Sequence, residues 1–146
     1  MMNHPIVQAL WRQRNAIAAC GRDLFRGTET IEELAAIFRT PQAQEFCLQH
    51  DFPTIETWRE LAKEHDIARF GIYVDAGHVE LRNEPFITLV GQTTAELSYD
   101  ELKRHNVLLL HGARATVEAS AWAVVFVSEG AGCEVVKNAT DRAKVL

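Results

Sequence analysis

Between Val107 and Val135 the chain repeats an apolar triplet every eight residues. Ala115, Ala123 and Ala131 share one slot. Val117, Val125 and Cys133 share the next, and Ala119, Val127 and Val135 the third. One step earlier, Val107, Leu109 and His111 fill the same slots, so 11 of 12 positions are apolar and only His111 is not. Spacing of two within a triplet makes each triplet one strand with one face turned inward. The register restarts at each step, so the chain must turn between triplets. Gly112, Gly130 and Ser120-Ala121 stand where it does, and small residues suit tight corners. Stacked short strands of this kind predict a β-solenoid, a single-stranded β-helix. Its interior should be narrow, with Ala115 and Ala123 buried one over the other. The alternative is an antiparallel β-meander.

The positions in between add a second constraint. Leu108, Leu110, Val124 and Phe126 are apolar, whereas Thr116, Glu118 and Glu134 are polar. A strand apolar on both faces needs cover on both. That cover is expected from N-terminal helices or from another subunit. Leu108, Leu110, Val124 and Phe126 are therefore candidate interaction residues.

The run Ala115-Thr-Val-Glu-Ala, then Ala123-Val-Val, Asn138-Ala-Thr and Ala143-Lys-Val-Leu resembles the Asn-Ala-Thr-Val-x-Ala repeats of uncharacterised proteins of gut bacteria and their phages. The resemblance covers about 40 residues of the C-terminal part. It implies a solenoid-like fold and a phage or mobile-element setting. It assigns no catalytic residue. The pattern degrades at Ser128 to Gly132 and at Asp141.

Upstream the period is helical. An apolar stripe of Ile6, Leu10 and Ile17, with Trp11 beside it, predicts a helix over 4–25. Thr30 and Glu33 have capping-box spacing before Ile31, Leu34 and Phe38. Thr40-Pro41 and Thr54 can each start a further helix. The period changes at Gly71-Ile-Tyr-Val. Val79 and Leu81 alternate, Phe86 to Val90 follow Pro85, and Ala95, Leu97 and Tyr99 form a triplet like the later ones. That triplet reads as an earlier coil displaced by an insertion, and polar Asp100 to Asn106 as a loop. The expectation is an α+β chain: a helical cap of about four short helices over 1–68, packed on a β-solenoid-like part over 69–146 as one compact unit.

Composition narrows the function. A formal net charge of -5 over 146 residues argues against a dedicated nucleic-acid binder, which needs concentrated positive charge. Neither half carries a charged tail: residues 1–70 hold 8 basic and 10 acidic groups, and residues 71–146 hold 7 and 10. No continuous apolar segment suits a signal peptide or a membrane span. Three widely spaced cysteines, Cys20, Cys47 and Cys133, read as reduced thiols of a cytoplasmic protein.

No chemical signature stands out. Cys47 and His50 have a metal-ligand spacing but lack a second pair, so no metal site is expected. His111 reads as a structural residue. Glu118 and Glu134, two repeat steps apart, could stack as a carboxylate pair, with Asp75, Glu80 and Glu96 as further acids, but a solvated face explains them. Glu129-Gly-Ala-Gly-Cys133 lacks phosphate-loop spacing, so no cofactor is expected. Trp11 and Arg12, with Arg14, Arg22 and Arg26, form the one basic-aromatic cluster. The functional expectation is a non-enzymatic interaction or structural protein that binds or inhibits another protein. A homo-oligomer is favoured over a monomer, because Arg142 to Leu146 still reads as a strand with no cap after it. The alternatives are a small carbohydrate-active enzyme using flank carboxylates, or a nucleic-acid-associated protein using the first helix.

Overall fold

A computed structural model of the protein describes residues 32, 36, 39–50, 54–64 and 66–146. The chain divides into two compact units, Met1–Phe70 and Gly71–Leu146. The division falls at Gly71, where the period changes, two residues beyond the 68/69 boundary expected from sequence.

The second unit is a parallel β-solenoid of about four coils. Its strands are β1 (Ile72–Val74), β2 (Gly77–Arg82), β3 (Phe86–Val90), β4 (Thr93–Tyr99), β5 (Arg104–Leu110), β6 (Arg114–Ala119), β7 (Val124–Glu129), β8 (Glu134–Ala139) and β9 (Lys144–Val145). Odd strands form one sheet in the order β1-β3-β5-β7-β9, here called sheet A. Even strands form sheet B in the order β2-β4-β6-β8. All pairings are parallel. Consecutive strands therefore lie in opposite sheets, and each coil is two strands and two corners. This topology excludes the antiparallel meander.

The stacking step is not eight. Ala95 pairs with Ala115 and Ala115 with Val135, a step of 20 residues per coil. Each half-coil is ten residues. Four corner turns show this, closed by hydrogen bonds from Ala113 N to Leu110 O, Ala123 N to Ser120 O, Cys133 N to Gly130 O and Ala143 N to Thr140 O. Both steps are even, so the eight-residue reading keeps the alternation and puts most inward residues inward while assigning the wrong neighbours. Ala115 and Ala123 are both buried, but they do not stack on each other. Ala115 lies in sheet B between Ala95 and Val135, and Ala123 ends the corner that leads into sheet A. Ala131, placed inward by that reading, is exposed at a corner.

Two further expectations change for the same reason. Ala95, Leu97 and Tyr99 do form the preceding coil, but at the regular step from Ala115, Val117 and Ala119. No insertion separates them. The irregular coil is the first, where Ile72 pairs with Thr88 at a step of 16. The loop after β4 ends at Lys103, because β5 begins at Arg104. Polar His105 and Asn106 hide a strand: His105 is buried, and Asn106 is flanked in register by Phe86 and Phe126.

The core is the solenoid interior. Ile87, Leu89, Val107, Leu109 and Val125 of sheet A meet Ala95, Leu97, Ala115, Val117 and Ala119 of sheet B. Burial fades along the last coil, where Val136, Lys137 and Asn138 are exposed. Corner backbone is held in the left-handed region at His111, Ala121 and Asp141, with φ of 55°, 55° and 57°. Non-glycine residues adopt it at a cost of about 1–2 kcal/mol each. At Asp141 the side chain offsets this by accepting a hydrogen bond from Ala121 N at 3.1 Å on the coil before. Gly71, with φ of 79°, admits no other residue, since a Cβ there would lie 2.3 Å from the Phe86 carbonyl oxygen.

In the first unit, the described residues form two α-helices, α1 (Pro41–His50) and α2 (Ile55–Glu64), and a 3-10 turn at Ile67–Phe70. Thr40 Oγ1 accepts from Ala43 N, and Thr54 Oγ1 accepts from Thr57 N. Both are the N-caps expected from sequence. Ala43, Cys47, Trp58, Leu61 and Ile67 are buried. The helices expected over 4–25 and after Thr30 lie outside the described residues, save that Glu32 and Ala36 are helical.

Candidate functional site

Inward side chains are fixed by the coil, so any site must use the outward ones. On sheet B the outward positions are 78, 80 and 82 of β2 and their register partners on β4, β6 and β8. Of these twelve, only Val136 is apolar. Arg82, Ser98, Asp100, Glu118, Asn138 and Thr140 line a groove of about 480 Å³ on this side. Arg82 donates to one carboxylate oxygen of Asp100, and Asn83 Nδ2 donates to the other at 2.7 Å. These hydrogen bonds, Asn83's first, hold the Asp100 carboxyl below the usual aspartate range. An acid held ionised accepts hydrogen bonds and cannot serve as a proton donor near neutral pH.

Glu118 and Glu134 do not stack. Glu118 is in register with Ser98 and Asn138, and Glu134 with Arg114, whose Nε lies 3.6 Å from Glu134 Oε2. The two columns stand four residues apart along the strands, or about 13 Å. Carboxylates that cleave glycosidic bonds together sit about 5–9.5 Å apart.

Sheet A carries outward Leu108, Leu110, Val124 and Phe126 among polar neighbours. Leu108 and Leu110 are 1% and 0% exposed. Val124 and Phe126, the other two of the four, are half-buried. Next to them a corner projects. Trp122 is 57% exposed and Leu102 is 77% exposed. Arg142 lies over the Trp122 ring at 5.6 Å, and Arg104 over the Phe126 ring at 4.2 Å. Lys144 pairs in register with Val124, which pairs with Arg104. The strip is thus aromatic and cationic, on a chain whose net charge is -5.

The remaining sequence candidates are dispersed. Trp11 and Arg12 lie outside the described residues. Cys47 is buried in α1, and burial pushes its thiol far up. His111 sits at a corner rather than in an inward slot. Cys133 is half-buried, and burial raises its thiol too. Sequence reading passed over Leu102, Trp122, Arg142 and Arg104. The signal was a step of 20, which puts Leu102, Trp122 and Arg142 at equivalent corners. It also passed over an interior polar pair. The Tyr99 and His105 rings lie 4.5 Å apart. Neither the Tyr99 hydroxyl nor either His105 nitrogen has a hydrogen-bond partner among the described residues. No protein-family model, curated protein or solved structure matches this chain.

Proposed function

We propose that this chain is a non-enzymatic interaction protein that binds another protein through the strip of Trp122, Phe126, Arg104 and Arg142. The observation that carries this reading is Trp122, a large aromatic left 57% exposed in contact with an arginine. Trp, Phe and Arg are the residue types enriched at protein interfaces, and Trp and Arg among their hot spots. Within the strip, Arg104 and Phe126 stand on the paired strands β5 and β7, and Trp122 and Arg142 on the corner turns that precede β7 and β9. Its cations, Arg104, Arg142 and Lys144, favour an acidic partner surface with an apolar pocket for the indole. The separation of Glu118 from Glu134 speaks against that pair as the carboxylates of a carbohydrate-cleaving enzyme. A mobile-element or phage setting, as the repeat resemblance implies, suits a small protein that inhibits a host protein.

The test is binding by the Trp122→Ser/Phe126→Ser double variant. A partner is cross-linked in the cells that make the protein, purified, and titrated against wild type and variant. Hot-spot truncation costs about 2 kcal/mol or more, so the variant should bind at least about 30-fold more weakly. Unchanged affinity for the purified partner would overturn the proposal. If the cross-linked partner is this chain itself, Phe126→Lys should convert the oligomer to monomers in sedimentation.

A further inference from the structure

Parallel register brings three metal-binding side chains together on the outer face of the first two coils. Glu80 of β2 pairs directly with Glu96 of β4. Two like charges directly opposite on neighbouring strands repel. His78 stands two residues before Glu80, on the same face. Its Nε2 lies 3.4 Å from Glu80 Oε1 and 3.6 Å from Glu96 Oε2. All three donor atoms lie within 4.8 Å of one another. The two arginines on this face are engaged elsewhere, Arg82 with Asp100 and Arg114 with Glu134. Among the described residues, His78 is therefore the one basic side chain between the two glutamates.

The distances themselves are informative. Hydrogen bonds from nitrogen to oxygen cluster at about 2.7–3.2 Å, so 3.4 and 3.6 Å are long for good ones. These two distances fit edges of a tetrahedron around an ion held by ligand bonds of about 2.0–2.2 Å, roughly 3.3–3.6 Å, and the third, between the glutamates, is at most 4.8 Å. We infer that His78, Glu80 and Glu96 form a site for a divalent transition-metal ion of the zinc or nickel type, which clamps β2 to β4. An imidazole with two carboxylates selects such ions over magnesium or calcium, which prefer all-oxygen shells. Water completes the coordination, since all three residues are exposed. The spacing 78, 80 and 96 has no metal-motif form in sequence. Only the first coil's step of 16 places Glu96 beside Glu80.

The test is calorimetric titration of the full chain with zinc chloride, for wild type, His78→Ala and Glu96→Gln, with circular dichroism confirming that each is folded. Wild type should bind one equivalent that both variants lose. Removing even a supporting partner of a metal ligand weakens binding about 10–100-fold, so losing a ligand should exceed about tenfold. Zinc should raise the melting temperature of wild type and leave the variants unchanged. Excess calcium should not displace the ion. No binding by wild type, equal binding by both variants, or displacement by calcium would each overturn the assignment.

Discussion

Leu97 and Val117 provide the sharpest test of the coil register. They are direct partners on β4 and β6, 1% and 0% exposed, so their volumes trade against each other. Leu97→Val removes one methylene from a buried site, worth about 0.8 kcal/mol of transfer energy. A residual void of roughly 25 Å³ adds about 0.6 kcal/mol. The single variant should thus lose about 1.4 kcal/mol. Val117→Leu inserts a methylene into the same packed interior, and overpacking of this kind costs about 1–3 kcal/mol. Together the singles would sum to roughly 3.4 kcal/mol if they were independent. The double variant restores the total volume of the column, so it should lose less than about 1.5 kcal/mol. The coupling is then about 2 kcal/mol, within the range seen for contacting residues. Urea unfolding followed by circular dichroism in the β-sheet band measures all four proteins. Additivity within about 0.5 kcal/mol would mean that Leu97 and Val117 do not touch, and the 20-residue step would be wrong.

Two other outcomes follow from polar groups. Asp100 has its folded pKa held down by Asn83 and Arg82, so its contribution is present above the ordinary aspartate value of about 3.9 and is lost as pH falls through the lower folded value. The stability gap between wild type and Asp100→Asn should be constant from neutral pH down to about 4 and shrink below it; a gap that persists unchanged to about pH 2 would refute the clasp. His105 is buried beside Tyr99 without a hydrogen-bond partner among the described residues, and such burial costs about 1–3 kcal/mol. His105→Leu should therefore stabilise the solenoid by about 1 kcal/mol in the same urea assay, and a loss of that size would show that the imidazole is paired.

The inward faces were legible because strand alternation has a fixed period of two, and any even-length corner preserves it. That is why Ala115, Val117, Ala119, Ala123 and Val125 were placed correctly without the right step. The step itself was obscured by composition. Alanines recur at 115, 123 and 131 by coincidence, whereas the structural equivalents at the corners are Ala113, Ala123, Cys133 and Ala143. Those four are small for one physical reason: each closes a tight turn over the interior. Asn106 and His105 concealed β5 because polarity mimics a loop when one residue is an interior exception. The helix caps at Thr40 and Thr54 were readable because capping is local chemistry. The Glu80–Glu96 contact was not readable, since it depends on the one coil whose step differs.

A coil with two outer faces lets one interior serve two surfaces. The small inward residues set the spacing of the sheets, and outward substitutions away from special features change stability by only about 0.5 kcal/mol. Each face can therefore vary without disturbing the other. Sheet B carries polar side chains at eleven of its twelve outward positions, which leaves its carboxylates available to a cation. Sheet A is mixed: Val90, Leu108 and Leu110 are buried, Val124 and Phe126 are half-buried, and Thr88, Arg104, Asn106, Ser128 and Lys144 stand on the same face. The proposed metal site belongs to the first two coils and the proposed binding strip mainly to the last two. In a solenoid each repeat contacts only its neighbours, so a clamp between β2 and β4 reaches Trp122 only through the coil of β5 and β6. The two proposed binding events are accordingly separable, and a variant that abolishes one is a fair control for the other.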